Sequence, residues 1–259
     1  MVHCVYFSAC GTVSSYVHAY VSGLTGRTDA RFLNWAGRED RIPLELGHDD
    51  ILVFAMPVYG GFIPSFCAAL VSLLHGSSTP AAVLAVYGNR HYDNALVQMD
   101  ELLARQGFET KAAAALSARH SIFPSVASGR PDDNDREEAR QFASMFDPQG
   151  KSVSSMLPGD RSADPSVFRG TPFHPEADES CTGCMRCVSV CPVSAISREN
   201  VRTSGKAVCI SCGRCIVSCP AGARGYRGEE YRQSGEVFLK KNGERKENVF
   251  FPAAVQDRR

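Results

Sequence analysis

The sequence carries no net charge: 28 lysines and arginines stand against 28 aspartates and glutamates. That balance argues against a nucleic-acid partner gripped through bulk charge. No apolar run reaches the ~18–20 residues that a membrane span requires. The apolar start, Val2-His3-Cys4-Val5-Tyr6-Phe7, has no basic segment ahead of it, so it reads as a strand rather than a secretory leader. The chain also lacks a G-K-[ST] phosphate loop, a G-x-G-x-x-G turn, an H-E-x-x-H helix, a Ser–His–Asp signature and a defensible carboxylate pair. No nucleophilic or hydrolytic constellation is left, and the expected compartment is the cytoplasm.

Cysteine, by contrast, is plentiful: eleven in 259 residues. Eight of them fall in two runs of one form. The first is Cys181-Thr-Gly-Cys184-Met-Arg-Cys187-Val-Ser-Val-Cys191-Pro192, the second Cys209-Ile-Ser-Cys212-Gly-Arg-Cys215-Ile-Val-Ser-Cys219-Pro220. Each is C-x2-C-x2-C-x3-C-P, the bacterial two-cluster iron–sulfur spacing. Three thiolates at such intervals wrap one corner of a cubane, and the fourth, carried past the loop, ligates the other cluster. The predicted ligands are Cys181, Cys184, Cys187 and Cys219 for the first [4Fe–4S] cluster. Those for the second are Cys209, Cys212, Cys215 and Cys191. Gly183 and Gly213 sit where the chain must approach inorganic sulfide, and each proline closes its run. A disulfide framework needs an oxidising compartment, and zinc sites pair C-x2-C knuckles rather than two four-cysteine runs. Of the three other cysteines, Cys4 and Cys67 read as small buried apolar residues. Arg186 and Arg214 hold equivalent places in the two runs, and a cation there would raise a cluster's potential; solvent exposure is the plainer reading.

Ahead of these runs, apolar segments alternate with amphipathic ones. Strands are predicted at residues 2–7, 30–35, 51–55, 81–86 and 111–118, and helices at 14–24, 65–75, 95–106 and 131–146. Residues 38–47 read as a turn or short helix. A βαβα order with short loops makes an α/β doubly wound parallel sheet, and ligands on such a sheet sit at the strands' carboxyl ends. Three unusual loops fall there. Ser8-Ala9-Cys10-Gly11-Thr12 leads into a helix, an arrangement that binds anions but is also common as an ordinary capped turn. Residues 56–64 hold two prolines, two glycines and Tyr59, and residues 87–94 run Tyr-Gly-Asn-Arg-His-Tyr-Asp-Asn. Further on, residues 148–178 are rich in proline and glycine and read as a linker, with Phe168 and Phe173 as its pins. Residues 228–259 form a charged C-terminal extension, with a hairpin expected between 237–239 and 249–251 around Lys240-Lys241-Asn242-Gly243.

The segments Phe7-Ser8-Ala9-Cys10-Gly11-Thr12, Pro57-Val58-Tyr59-Gly60-Gly61 and Tyr87-Gly88-Asn89-Arg90-His91-Tyr92-Asp93, taken with the cysteine runs, resemble a flavodoxin–ferredoxin fusion family. The resemblance spans residues 2 to about 227. It implies a flavodoxin-like domain at 1–147 and a small α+β two-cluster ferredoxin domain at 179–227. It implies FMN as well: phosphate held by Ser8, Cys10, Gly11, Thr12 and Ser14, one side of the flavin lined by Pro57, Tyr59, Gly60 and Gly61, the other by Tyr87, Gly88, Asn89, Arg90, Tyr92 and Asp93. Where the family's first loop usually reads S-G-T-G-N-T, this chain has Cys10, Thr12 and Val13 in place of the first Thr, the Asn and the last Thr.

Three activities are compatible with these residues. The expected one is electron transfer between the clusters and FMN, in exchange with a redox partner protein or a small electron donor or acceptor. The second is FMN-dependent reduction of a small substrate bordered by Tyr59, Arg90, His91 and Tyr92. The third is a ferredoxin carried on an empty flavodoxin-like domain.

Overall fold

A computed structural model describes residues 1–25, 29–168 and 170–252. Gly26, expected to stop the first helix, and the end of the extension at 253–259 lie outside the described residues. The first half runs β1 (Val2–Tyr6), α1 (Thr12–Gly23), β2 (Ala30–Asn34), β3 (Leu44–Leu46), β4 (Ile51–Pro57), α2 (Ser65–Leu70), β5 (Leu74–Gly76), β6 (Thr79–Tyr87), α3 (Ala95–Ala104), β7 (Phe108–Ser117) and α4 (Asp133–Ser144). β8 (Glu176–Ala177), α5 (Arg186–Val190), α6 (Arg214–Val217), β9 (Arg224–Gly225), α7 (Glu229–Asn242) and β10 (Val249–Phe251) follow.

β2, β1, β4, β6 and β7 lie side by side and parallel. Numbered among themselves they follow the order 2-1-3-4-5, the flavodoxin-like arrangement, with its switch point between β1 and β4. Continuous apolar strands suit a parallel sheet covered on both faces. In β4, Leu52, Phe54 and Met56 point into one core with α2 and α3. Ile51, Val53 and Ala55 point into the other, against Val13, Tyr16, Val17 and Tyr20 of α1 and Ala139 and Phe142 of α4. The alanines 112–115 of β7 are all buried; their small side chains let both helical layers approach the strand. α4 begins in a capping box, Asp132 accepting from the Asp135 amide while the Asp135 carboxylate accepts from the Asp132 amide, an arrangement that satisfies two otherwise orphaned donors.

Three stretches fold differently from their sequence-based expectation. Residues 38–47 include β3, where Leu44 and Leu46 alternate inward, pairing in parallel with β5. The helix expected over 65–75 ends at Leu70 and passes through a 3-10 turn into β5. In place of the hairpin there is a helix, α7, and β10 pairs antiparallel with β7, Val249 opposite Ala115 and Phe251 opposite Ala113. Glu229 and Glu230 at the start of α7 and Lys240 and Lys241 at its end complement the helix dipole. Arg232 bonds both Glu229 and Glu236, one turn to either side. These local pairings outweigh the β propensity of Val237-Phe238-Leu239.

Between the sheet and the first cysteine run, the described residues of 148–175 form no helix or strand apart from two 3-10 turns. Val153 and Leu157 are buried in the α3 core, and the Val153 amide donates to the Thr110 carbonyl at 2.9 Å. Phe173 packs on Phe123 and Tyr231, at 5.7 and 5.6 Å between ring centroids. Phe168 lies across Gly60. Among the described residues no helix is long and apolar enough to cross a membrane.

Candidate functional site

The two cysteine loops share one backbone trace. Gly183 and Ser211, at matching places, have φ of 69° and 52°; so do Met185 and Gly213, at 61° and 74°. Left-handed residues at both positions turn the loop tightly and start the short helices α5 and α6.

The fold gathers the cysteines into two crossed quartets. Cys181, Cys184, Cys187 and Cys219 line one small cavity with Arg186, Pro220 and Arg224. Cys191 lies within electrostatic range of Cys209, Cys212 and Cys215. Each run therefore lends its last cysteine to the other. Backbone amides point at the sulfurs. Ala195 N–H donates to Cys191 Sγ at 3.2 Å and Ser211 N–H to Cys209 Sγ at 3.4 Å. Burial pushes the Cys219 thiol up, but the amides of Arg224, Ala223, Ala221 and Gly222 outweigh it and hold the thiol below its ordinary value. Converging amides of this kind stabilise a thiolate and tune a cluster bound to it. Among the described residues no three Cys, His, Asp or Glu side chains converge as they would on a single ion. A four-iron cubane makes no such demand, because each thiolate binds a different iron.

A second, far larger cavity of about 870 Å3 opens at the carboxyl ends of the sheet strands. Its volume lies in the range of small-molecule and cofactor sites, ~300–1,000 Å3. One wall is built from strand-end loops and includes Cys10, Thr12, Pro57, Tyr59, Gly60, Gly61, Tyr87, Gly88 and Arg90. The opposite wall is the second cysteine run, from Cys209 to Gly213. The two walls touch: Cys10 Sγ donates to the Cys212 carbonyl at 3.2 Å, and a Cβ at Gly213 would stand 3.1 Å from the same sulfur. Burial raises the Cys10 thiol pKa, keeping it a neutral donor.

The remaining expected residues lie behind the wall. Ser8 is buried; its hydroxyl accepts from the Ser14 amide at 3.0 Å, and its own amide donates to Asn34 Oδ1 at 2.9 Å. The Ser14 hydroxyl faces His18. Asn89 is fully buried, its amide nitrogen donating to the carbonyls of Asn242 and Glu244 and its oxygen accepting from Ser117. Asp93 pairs with Arg90 and packs under Gly61; Tyr92 stacks on His91 at 4.7 Å. At the α1 N-terminus, Ser8 and Gly11 take the amides of Ser14 and Ser15. The first-turn amides of Thr12 and Val13, which have no intrahelical acceptor, belong to residues lining the cavity. Gly11, at φ 91°, leaves open space where a side chain would stand. An anion fits this cradle through backbone donors, and the half-buried Tyr59 ring, whose phenol burial pushes well above its ordinary pKa, fits a flat apolar ring beside it.

A fourth loop, after β7, completes the cavity and went unread in the sequence. His120 Nδ1 accepts from the amides of Ile122 and Phe123, at 3.2 and 3.1 Å, so its proton sits on Nε2. Burial and then the Arg90 charge lower its pKa to about 4. The cue was topological: 118–124 also follow a strand's carboxyl end.

Strand order and cysteine loops together define a flavodoxin-like sheet joined to a dicluster ferredoxin segment, a pairing that supports an electron-transfer role. Residues 180–223 match the 4Fe-4S dicluster domain family. No curated protein matches the chain. Among solved structures it is similar to a flavodoxin from the domain Archaea, at 13% identity over 56% of this chain and 94% of that one, with a TM-score of 0.41. It is also similar to flavodoxin 1 from Bacillus cereus, at 12% identity over 56% and 95% of the two chains, with a TM-score of 0.40.

Proposed function

We propose that the chain passes electrons between two [4Fe–4S] clusters and a bound FMN. The outer cluster takes Cys181, Cys184, Cys187 and Cys219; the inner takes Cys191, Cys209, Cys212 and Cys215. The observation that carries this reading is the shared cavity, in which the loop holding three of the inner thiolates forms the wall opposite the strand-end loops. When bound, the clusters supply single electrons at low potential, and the flavin accepts or gives two electrons in single steps.

The chain's own residues fix the geometry. The amides of Thr12 and Val13 and the Thr12 hydroxyl hold phosphate. Pro57, Tyr59, Gly60 and Gly61 support one face of the ring, and Tyr87, Gly88 and Arg90 border the other. Ser8, Gly11, Ser14, Asn89, Tyr92 and Asp93 act from behind, shaping the loops that make contact. Cys10 locks the phosphate loop onto the inner cluster's loop.

A second reading, reduction of a small molecule at the flavin, is favoured by one observation. Phe168, Phe173 and Tyr231 also line the cavity, and aromatic rings beside the strand-end loops suit a small planar electron acceptor. The deciding experiment is a cofactor count on anaerobically purified protein. One acid-released FMN with about eight irons, as two four-iron clusters require, is the expected result. Iron without flavin after incubation with FMN rejects both readings and leaves a ferredoxin on an empty domain. Steady turnover of a small acceptor separates the second reading from the first.

A further inference from the structure

The dicluster segment contains a desolvated cation with no carboxylate beside it. Arg224, in β9, is 4% exposed. Its guanidinium donates to the carbonyls of Val201 and Pro175, at 2.5 and 2.8 Å, and to Ser204 Oγ at 2.7 Å. Its Nε is buried and unpartnered. Among the described residues no Asp or Glu pairs with it, whereas the other buried arginine, Arg130, is held by Asp135. A buried charge without a counter-ion is strongly unfavourable, and carbonyls and a hydroxyl supply only dipoles. What surrounds Arg224 is sulfur. Nη1 lies 3.7 Å from Cys187 Sγ, in the outer quartet. The Arg224 charge also lies within electrostatic range of Cys215 and Cys209, in the inner quartet, and its backbone amide points at Cys219.

We propose that Arg224 is the counter-ion shared by both clusters. Each cluster with its four thiolates is an anion whose charge grows on reduction. A fixed cation between them stabilises the added electron on either one and softens the repulsion between two reduced clusters. Arg224 is a positioning residue: it sets the two potentials together and leaves ligation to the cysteines. The two arginines that the cysteine spacing singles out do not have this place. Arg186 is exposed, and Arg214 points out of the segment toward the Ser8 carbonyl, at 3.5 Å.

The proposal rests on the two-cluster reading, and the test keeps the two apart. Wild type, Arg224→Gln and, as a control, Arg198→Gln, an exposed arginine of the same segment that lines neither cavity, are purified anaerobically, their iron and sulfide counted, and their clusters titrated by electron paramagnetic resonance. Both midpoint potentials are expected to fall in Arg224→Gln at unchanged iron content, with Arg198→Gln like wild type. Arg224→Lys, which keeps the charge, is expected to recover part of the fall. Unchanged midpoints, or a shift at one cluster alone, overturn the shared counter-ion while leaving the clusters in place. Far fewer than eight irons in wild type overturns the cluster reading and this proposal with it. If Arg224→Gln does not assemble, wild type labelled with 15N in its arginine guanidinium decides. Pulsed resonance on the reduced protein is expected to show 15N coupling at both clusters, and its absence overturns the proposal.

Discussion

Mild acid should loosen the cavity wall at one identifiable residue. His120 is neutral because burial, and then the Arg90 charge, lower its pKa from 6.5 to about 4. Its Nδ1 holds two amides of the loop that follows β7, and its ring packs between Phe123 and Phe238, with centroids at 5.4 and 4.7 Å. Between those two pH values the unfolded chain binds a proton that the folded chain refuses. Stability is therefore whole above pH ~6.5 and drains away as the pH falls toward ~4. At pH 5 the proton-binding ratio of the two states is about (1 + 10^1.5)/(1 + 10^−1), roughly 30, or about 2 kcal/mol. For a chain of this size that is about 4–8 °C in melting temperature. His120→Asn puts an amide oxygen near the position of Nδ1, keeps the two acceptor bonds and does not titrate. Anaerobic thermal melts of wild type and His120→Asn at pH 7 and pH 5 make the comparison. Wild type should lose about 4–8 °C more than the variant, as the ratio above gives. Equal losses would refute the assignment of a buried neutral imidazole.

Cys219→Ser should remove the cluster ligated by Cys181, Cys184 and Cys187 while the cavity-side cluster still reduces flavin; loss of cluster-to-flavin transfer in rapid kinetics would contradict the crossed assignment. Asp135→Asn strands the Arg130 charge, whose side chain is 5% exposed beside a fully buried partner. It should cost about 3–5 kcal/mol, read as a drop in the denaturation midpoint; a loss below 1 kcal/mol would show that Arg130 finds another partner. Gly213→Ala places a side chain at φ 74° and 3.1 Å from Cys10 Sγ. Backbone strain of about 1–2 kcal/mol and displacement of the first loop should slow flavin reduction by the inner cluster at full cofactor content, and an unchanged rate would break the proposed contact route.

Periodicity made the sheet legible because β4 and β6 are buried on both faces and read as unbroken apolar runs. The cysteine spacing made the dicluster loops legible because only a multinuclear cluster asks for that sequence. What stayed hidden is what depends on partners distant in the chain. Ser8 and Asn89 look like ligand-binding polar residues, and only the fold reveals that the amide of Ser14 and the carbonyls of Asn242 and Glu244 occupy them. β3 is three residues long, too short for alternation to stand out from a turn. In α7 the run Val237-Phe238-Leu239 has strand character on its own, and the flanking charges that decide for helix work across turns of a helix not yet assumed. His120 carries no motif at all; its tautomer comes from two amides and its charge state from burial.

The antiparallel strand β10 has a consequence for how electrons move. The chain leaves the sheet after α4, makes the whole cysteine-bearing segment, and returns to pair with β7, where three residues seal what would otherwise be an open edge. The iron–sulfur unit is thus an insertion stitched into a single sheet at both ends, not a cargo trailing from one tether. It cannot swing off to visit another molecule and return. Under the proposed function, exchange between the inner cluster and the flavin needs no encounter, so its rate should not vary with protein concentration. During synthesis the β7 edge waits for β10, which emerges only after every cysteine, so the sheet is completed around a unit whose ligands are already present.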